Sequence, residues 1–141
     1  MSLETIHREV FDAWNVRDFD RMRTAFHSEY TYTGPDGTEQ PGVESGMAVA
    51  ELFASAFPDA RVTVDRVFTS GNTAVAECTG RGTHRGDFLG IAPTNRQVSL
   101  KICNVIELRD GLIYREREYF DMATVLGQIG ATNLPAHSAH A

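Results

Sequence analysis

The side chains best placed for acid/base chemistry fall in the last third of the sequence. Two alternating apolar runs, Gln97 to Leu108 and Leu112 to about Phe120, flank Asp110-Gly111. An Asp-Gly pair between such runs is a hairpin signal. With a two-residue turn, Arg109 faces Leu112, and Asn104, Ile102 and Leu100 lie opposite Arg117, Tyr119 and Asp121. Opposed residues share a face, and Val98, Leu100 and Ile102 mark that face as the inward one. This register predicts Asn104, Arg117, Tyr119 and Asp121 as polar groups on an apolar inner wall, the makings of a small-molecule site. A carboxyl desolvated there has a raised pKa and suits a general acid/base. A three-residue turn with a bulge at Gly111 instead turns Tyr114, Glu116, Glu118 and Phe120 inward. Asp121 also directly precedes a helical run, where Asp is a favoured N-cap. Capping and catalysis both stay open for it, and a structural ion pair stays open for Arg117.

A second clue lies in the run from Thr73 to Thr83. Ala74, Ala76, Cys78, Gly80 and Gly82 share one parity and are all small, leaving room on that face for a ligand or for a packed helix. His84 follows in Gly82-Thr83-His84-Arg85-Gly86. A histidine at a strand end can donate a proton near neutral pH; one in a glycine-rich turn can also be a bystander. Trp14 and Tyr32 suit core or pocket wall, and His7 and His27 carry less signal.

The elements that must position these residues follow from periodicity. Leu3, Ile6, Val10, Phe11 and Trp14 fall on one helical face, with Ser2 as a cap. Asp18 caps a short second helix that buries Phe19, Met22 and Phe26. A short strand covers Tyr30 to Thr33, Gly34-Pro35-Asp36-Gly37 is a turn, and a third helix runs from Glu44 to Ala56 before Pro58. Thereafter the period is two, from Val62 onward, until a last helix over Met122 to Ile129 ends at Gly130. Helices first and long antiparallel strands after them predict an α+β fold. The expected organisation is one domain over residues 1–130 and a flexible tail over 131–141 that carries His137 and His140.

Composition narrows the function. The chain has 141 residues, net charge −6, and an ordinary apolar fraction of 42%, which fits one globular domain. The acidic balance argues against a nucleic-acid partner. No apolar run approaches the roughly 20 residues that span a bilayer, and no leader-like segment opens the chain, so the expected compartment is the cytoplasm. Cys78 and Cys103 match no metal or redox spacing and are expected to be free thiols. No nucleophile elbow, Walker loop or zinc-protease motif occurs. The expected chemistry uses side chains and water, with no metal and no cofactor.

Ordered pieces along nearly the whole chain resemble the SnoaL-like polyketide cyclase family of the nuclear-transport-factor-2-like superfamily. They are Phe11 to Asp18, Ala56-Phe57-Pro58-Asp59, Gly82 to Gly86 with Gly90 to Thr94, and Asp110 to Ile113 running into Glu118-Tyr119-Phe120-Asp121 and Leu126 to Gly130. Asn95 stands where the family commonly has Gly. The resemblance implies a cone-shaped sheet curled around the N-terminal helices, usually a homodimer. It implies an aspartate acid/base at Asp121 with His84 near the pocket, and cofactor-free intramolecular aldol closure of a hydrophobic carbonyl substrate. Trp14, Tyr32, Asn104, Arg117 and Tyr119 are then the expected substrate contacts. A ketosteroid-isomerase-like enzyme shares the opening enolisation, and a non-catalytic ligand-binding module is the alternative from another class.

Overall fold

Side-chain fasteners, more than helix caps, set where the first elements lie in the computed structural model, which describes residues 2–131. Helix α1 (Ile6–Asn15) begins three residues later than its apolar spacing predicts. The Ser2 carbonyl accepts the N–H groups of Thr5 and Ile6, closing a turn ahead of the helix. At the other end, the Asn15 amide pairs with both the N–H and the carbonyl of Val62, as a strand residue would. The Arg17 guanidinium donates to the carbonyls of Trp14, Pro58 and Ala60 and stacks 4.1 Å from the Trp14 ring. The Trp-Asn-Val-Arg run thus ties α1 to the start of β3 (Arg61–Ser70).

Helix α2 (Phe19–Arg23) is capped by Asp18, whose carboxylate accepts the Arg21 N–H. Phe26, expected in that helix, instead opens strand β1 (Phe26–Thr33) and stays buried there. The short edge strand β2 (Glu39–Pro41) carries no alternating pattern and was not anticipated. Helix α3 (Val43–Ala56) follows. Its Gly46 lies against Tyr30 so closely that an added Cβ would fall 2.9 Å from two of the ring carbons.

Strands β3, β4 (Thr73–Thr83), β5 (Gln97–Arg109) and β6 (Leu112–Tyr119) complete a six-stranded sheet of order β2-β1-β6-β5-β4-β3. All its pairings are antiparallel except β1 with β6, which is parallel. The sheet is therefore mixed, a correction to the antiparallel expectation. Pairing between strands from opposite ends of the chain leaves no local trace in a sequence. The open, curved sheet and its helices form the cone-shaped α+β fold, closed off by α4 (Met122–Gln128).

On the concave face, Ala74, Ala76 and Cys78 of β4 are buried, in line with Asn104 and Ile106 of β5. One apolar cluster gathers Ile6, Trp14, Phe26, Tyr30, Met47 and Ile106; a second gathers Phe57, Phe88, Val98, Leu100, Val125 and Ile129. Fully burying a large apolar side chain contributes about 1.5–3 kcal/mol, so these clusters carry much of the stability. Both cysteines are free thiols; Cys78 is buried, which pushes its pKa up to about 12, and Cys103 is half-buried. Among the described residues no helix is long and apolar enough to cross a membrane. The expected tail beyond Ala131, with its two histidines, lies outside the described residues.

Candidate active site

The β5–β6 hairpin turns as expected and then departs from the expected register. Asp110 and Gly111 both have positive φ, 55° and 75°, and Arg109 faces Leu112 across a two-residue turn. Leu108 then faces Ile113, but Glu107 faces Arg115, so Tyr114 is an extra residue on β6. Its ring is held between two guanidiniums, Arg109 and Arg115, each 3.7 Å from the ring centre, and Arg115 also donates to its hydroxyl at 2.8 Å. Cation–π contacts of this kind stabilise an extra residue that the ladder leaves unpaired.

The bulge inverts the parity of everything after it. Glu116 now faces Ile106 and Glu118 faces Asn104, both on the concave side. Arg117 and Tyr119 face Val105 and Cys103 on the convex side. The expected inner set Arg117, Tyr119 and Asp121 is thereby corrected to Glu116, Glu118 and Phe120. Arg117 pairs with Glu107, and Tyr119 is 53% exposed. Asp121 is exposed and caps α4, accepting the Ala123 N–H at 3.0 Å and the Thr124 hydroxyl at 2.8 Å.

Inside the cone lies a cavity of about 130 Å³. Three of the expected contacts line it: Trp14, Tyr32 and Asn104. Most of its wall is apolar, with Phe53, Phe57, Leu100 and Phe120 among the larger contributors and Gly80 and Gly82 leaving room. His84 is fully buried behind this wall, packed against the Phe57 ring. Its Nδ1 accepts the Thr94 N–H and meets the Thr94 hydroxyl at 3.0 Å, an arrangement that braces the loop after β4.

The polar groups at one end of the cavity form one connected network. The Asn104 amide nitrogen donates to Glu116 Oε2 at 2.8 Å and to Glu118 Oε2 at 3.1 Å. The Tyr30 hydroxyl donates to Glu116 Oε1 at 2.5 Å, and the Tyr32 hydroxyl donates to Glu118 Oε1 at 2.9 Å. His7 Nε2 meets Asn104 Oδ1 at 2.9 Å. A carbonyl oxygen only accepts, so Nε2 carries the imidazole proton. Burial pushes the His7 pKa down, keeping the ring neutral.

Both glutamates are pushed toward their protonated forms. Desolvation is the main cause for Glu118, followed by repulsion from Glu116, and its pKa rises to about 7. Glu116 is raised by desolvation, with the Tyr30 and Asn104 hydrogen bonds opposing the rise. No basic side chain pairs with either among the described residues. Two carboxyls bridged by one amide titrate as a coupled pair, as like charges at short range cannot both ionise cheaply. The same negative surroundings, added to burial, hold Tyr30 and Tyr32 firmly protonated.

A hydrogen count defines what this network offers a ligand. Both tyrosine hydroxyls, both amide hydrogens of Asn104 and the His7 N–H are committed within it. The Trp14 indole N–H is also committed, to the Ala50 carbonyl. The one hydrogen free to move is the proton on the carboxyl pair. Sequence reasoning named Asn104 and Tyr32 but assigned no role to Glu116, Glu118, His7 or Tyr30. The available signal was the pair of glutamates at one parity of a strand, opposite Ile106 and Asn104.

Comparison with known proteins agrees with this architecture. The family described as SnoaL-like polyketide cyclase matches residues 4–129. AclR of Streptomyces galilaeus, described as a candidate hydroxylase, superposes with a TM-score of 0.83 at 20% identity, over 97% of this chain and 87% of its own. IdmH of Streptomyces antibioticus, described as a candidate polyketide cyclase, gives 0.81 at 25%, over 92% and 99%. TsrD of Streptomyces laurentii gives 0.81 at 26%, over 92% and 95%. No curated protein matches the chain by sequence. With a match running from α1 through α4 and a cone of the same shape around one polar-ended cavity, the chain belongs to the SnoaL-like polyketide cyclase family.

Proposed function

We propose that the protein is a cofactor-independent acid/base enzyme that closes a ring in a small, hydrophobic carbonyl compound, with Glu118 and Glu116 as the working pair. The observation that carries this reading is two glutamates facing an apolar cavity, bridged by Asn104 and with no basic partner among the described residues, both pushed by burial toward their protonated forms. A pKa near neutrality is what a general base at physiological pH needs.

In the mechanism, the ionised member of the Glu116–Glu118 pair removes a proton α to a substrate carbonyl. The developing enolate oxygen takes a hydrogen bond from the protonated member, the donor the network leaves free. The enolate carbon then bonds to a second carbonyl carbon of the same molecule, and the new alkoxide receives a proton from the pair. The apolar wall folds the substrate so that its two carbonyls approach, which supplies proximity. A preorganised donor at the enolate oxygen contributes several kcal/mol. His7, held neutral, orients Asn104 and so keeps the amide hydrogens on both carboxyls. Asp121, with its carboxylate committed to the N-terminus of α4, supports the hairpin's exit and takes no proton in this scheme. His84 braces the loop behind Phe57.

The convex face adds a reading of assembly. Phe68 and Tyr119 are more than half exposed there, flanked by half-buried Val75 and Val105. This patch supports a homodimer packed through the convex sheet, which sedimentation at micromolar concentration tests.

The experiment is turnover of an aromatic polyketide ester bearing an enolisable carbonyl, compared between the wild type and the Glu118→Gln and Asp121→Asn variants. The expected loss is at least 100-fold in kcat for Glu118→Gln and less than threefold for Asp121→Asn. The reverse pattern would transfer the acid/base role to Asp121. A wild type that shifts a double bond in a steroid-like enone, yet leaves polyketide esters unchanged, would move the assignment to isomerisation.

A further inference from the structure

The same cavity has a property that carbonyl chemistry does not require. Its polar end is built from lone pairs. Glu116 and Glu118 each accept two hydrogen bonds, from a tyrosine and from Asn104, and retain unused acceptor capacity. The titratable groups around them are His7 on α1, Tyr30 and Tyr32 on β1 and Cys78 on β4, none of them cationic. Arg61 and Arg81 reach the cavity's lining from β3 and β4, but both are exposed and sit on the convex parity, opposite one another. Arg8, the next residue after His7, is exposed as well. Aromatic rings supply the remaining chemistry: Tyr32 hydrogen-bonds Glu118 directly, and Trp14, Phe26 and Phe53 line the same space.

We propose that this end of the cavity is a binding site for a protonated amine carried on an apolar body. An ammonium N–H supplies a donor to the carboxyl lone pairs that the network leaves unused, and its charge meets a carboxyl pair with no resident counterion. The rings offer faces to which a cation is attracted, while the apolar remainder fits the wall. Binding favours the ionised pair, so the complex releases a proton on forming when the free protein holds one. The proposal rests on both glutamates facing the cavity and is independent of carbon–carbon bond formation.

The test is calorimetry with N,N-dimethylbenzylammonium and its uncharged isostere isobutylbenzene, on the wild type between pH 5.5 and 8. The ammonium is expected to bind about tenfold more tightly at pH 8 than at pH 5.5. Its heat is expected to vary with buffer ionisation enthalpy at pH 6.5, as proton release requires. The isostere is expected to bind without either dependence. Glu116→Gln with Glu118→Gln is expected to remove the preference for the charged ligand. Equal affinity for both ligands at every pH in the wild type would overturn the proposal without recourse to the variant. If the amine fails to bind while Glu118→Gln still abolishes carbonyl turnover, the amine site is lost and the proposed enzyme function stands.

Discussion

The two faces of β6 and its neighbours carry the same kinds of charged residue and use them in opposite ways. On the convex face, Glu107 meets Arg117 and Arg115 donates to the Glu29 carbonyl, with water close by. The Arg117 guanidinium there is held protonated by its hydrogen bond to Glu107. On the concave face, Glu116 and Glu118 meet hydroxyl and amide donors only. Neutral donors stabilise a carboxylate less than a guanidinium does and leave the cost of desolvation uncompensated. The same residue type is thus a surface ion-pair member on one side of a strand and a titrating acid/base on the other.

Four substitutions sharpen this contrast, in descending order of effect on stability. A carboxyl whose pKa is raised from the usual 4.5 to about 7 contributes stability that is full below pH 4.5 and lost as pH rises through 7. Glu118→Gln removes that loss. Urea unfolding should therefore show the decline in stability between pH 5 and pH 8 shrinking by on the order of 2 kcal/mol relative to wild type. An unchanged pH dependence would mean that Glu118 titrates as a surface residue does.

Asn104→Leu comes next. It removes the bridge and leaves both carboxyls and the His7 N–H short of a partner, at a cost of about 2 kcal/mol. It should also move the acid limb of the kcat/KM profile to higher pH, because the amide favours the ionised forms. Asp121→Ala should cost about 1 kcal/mol through the lost cap and leave that acid limb in place. Glu107→Gln, on the convex face, should cost less than about 1 kcal/mol, as surface pairs do, with no effect on pH dependence. If it matched Asn104→Leu, the two faces would not differ in kind.

Much of the fold was readable from periodicity and turn chemistry. The strands from Thr73 onward, the Asp110-Gly111 turn, the Asp18 cap and the small-residue face of β4 are local properties of the chain, and each appears as expected. Strand β2 and the parallel β1–β6 pairing are long-range consequences, and no short window encodes them. The quoted sequence pieces turn out to be mainly fasteners: Asn15 on Val62, Arg17 on the loop after α3, Asp59 on the Thr83 N–H and hydroxyl, Thr94 on His84. They identify the scaffold and bear less on the chemistry. For the site, the sequence yielded the wall and Asn104 but turned the wrong side of β6 inward. The alternative register was visible as an inner set of Glu116, Glu118 and Phe120, but its cause was placed at Gly111. The bulge sits three residues further on, at Tyr114, whose ring packs against Arg109 and Arg115.

That clamp gives one residue on the exterior control over what the interior contains. Deleting Tyr114 would leave Glu107 facing Arg115 and the glutamates inside. Pairing Tyr114 into the ladder opposite Glu107 would instead erase the bulge and bring Arg115 opposite Ile106 and Arg117 opposite Asn104, swinging Arg117 into the apolar chamber and both glutamates out into solvent. The chamber would then change from an acidic vessel to a basic one without any substitution at a wall position. In this fold a shift of register by one at a hairpin's shoulder is a change of reagent, decided by whether a single ring is paired into the ladder or left out of it.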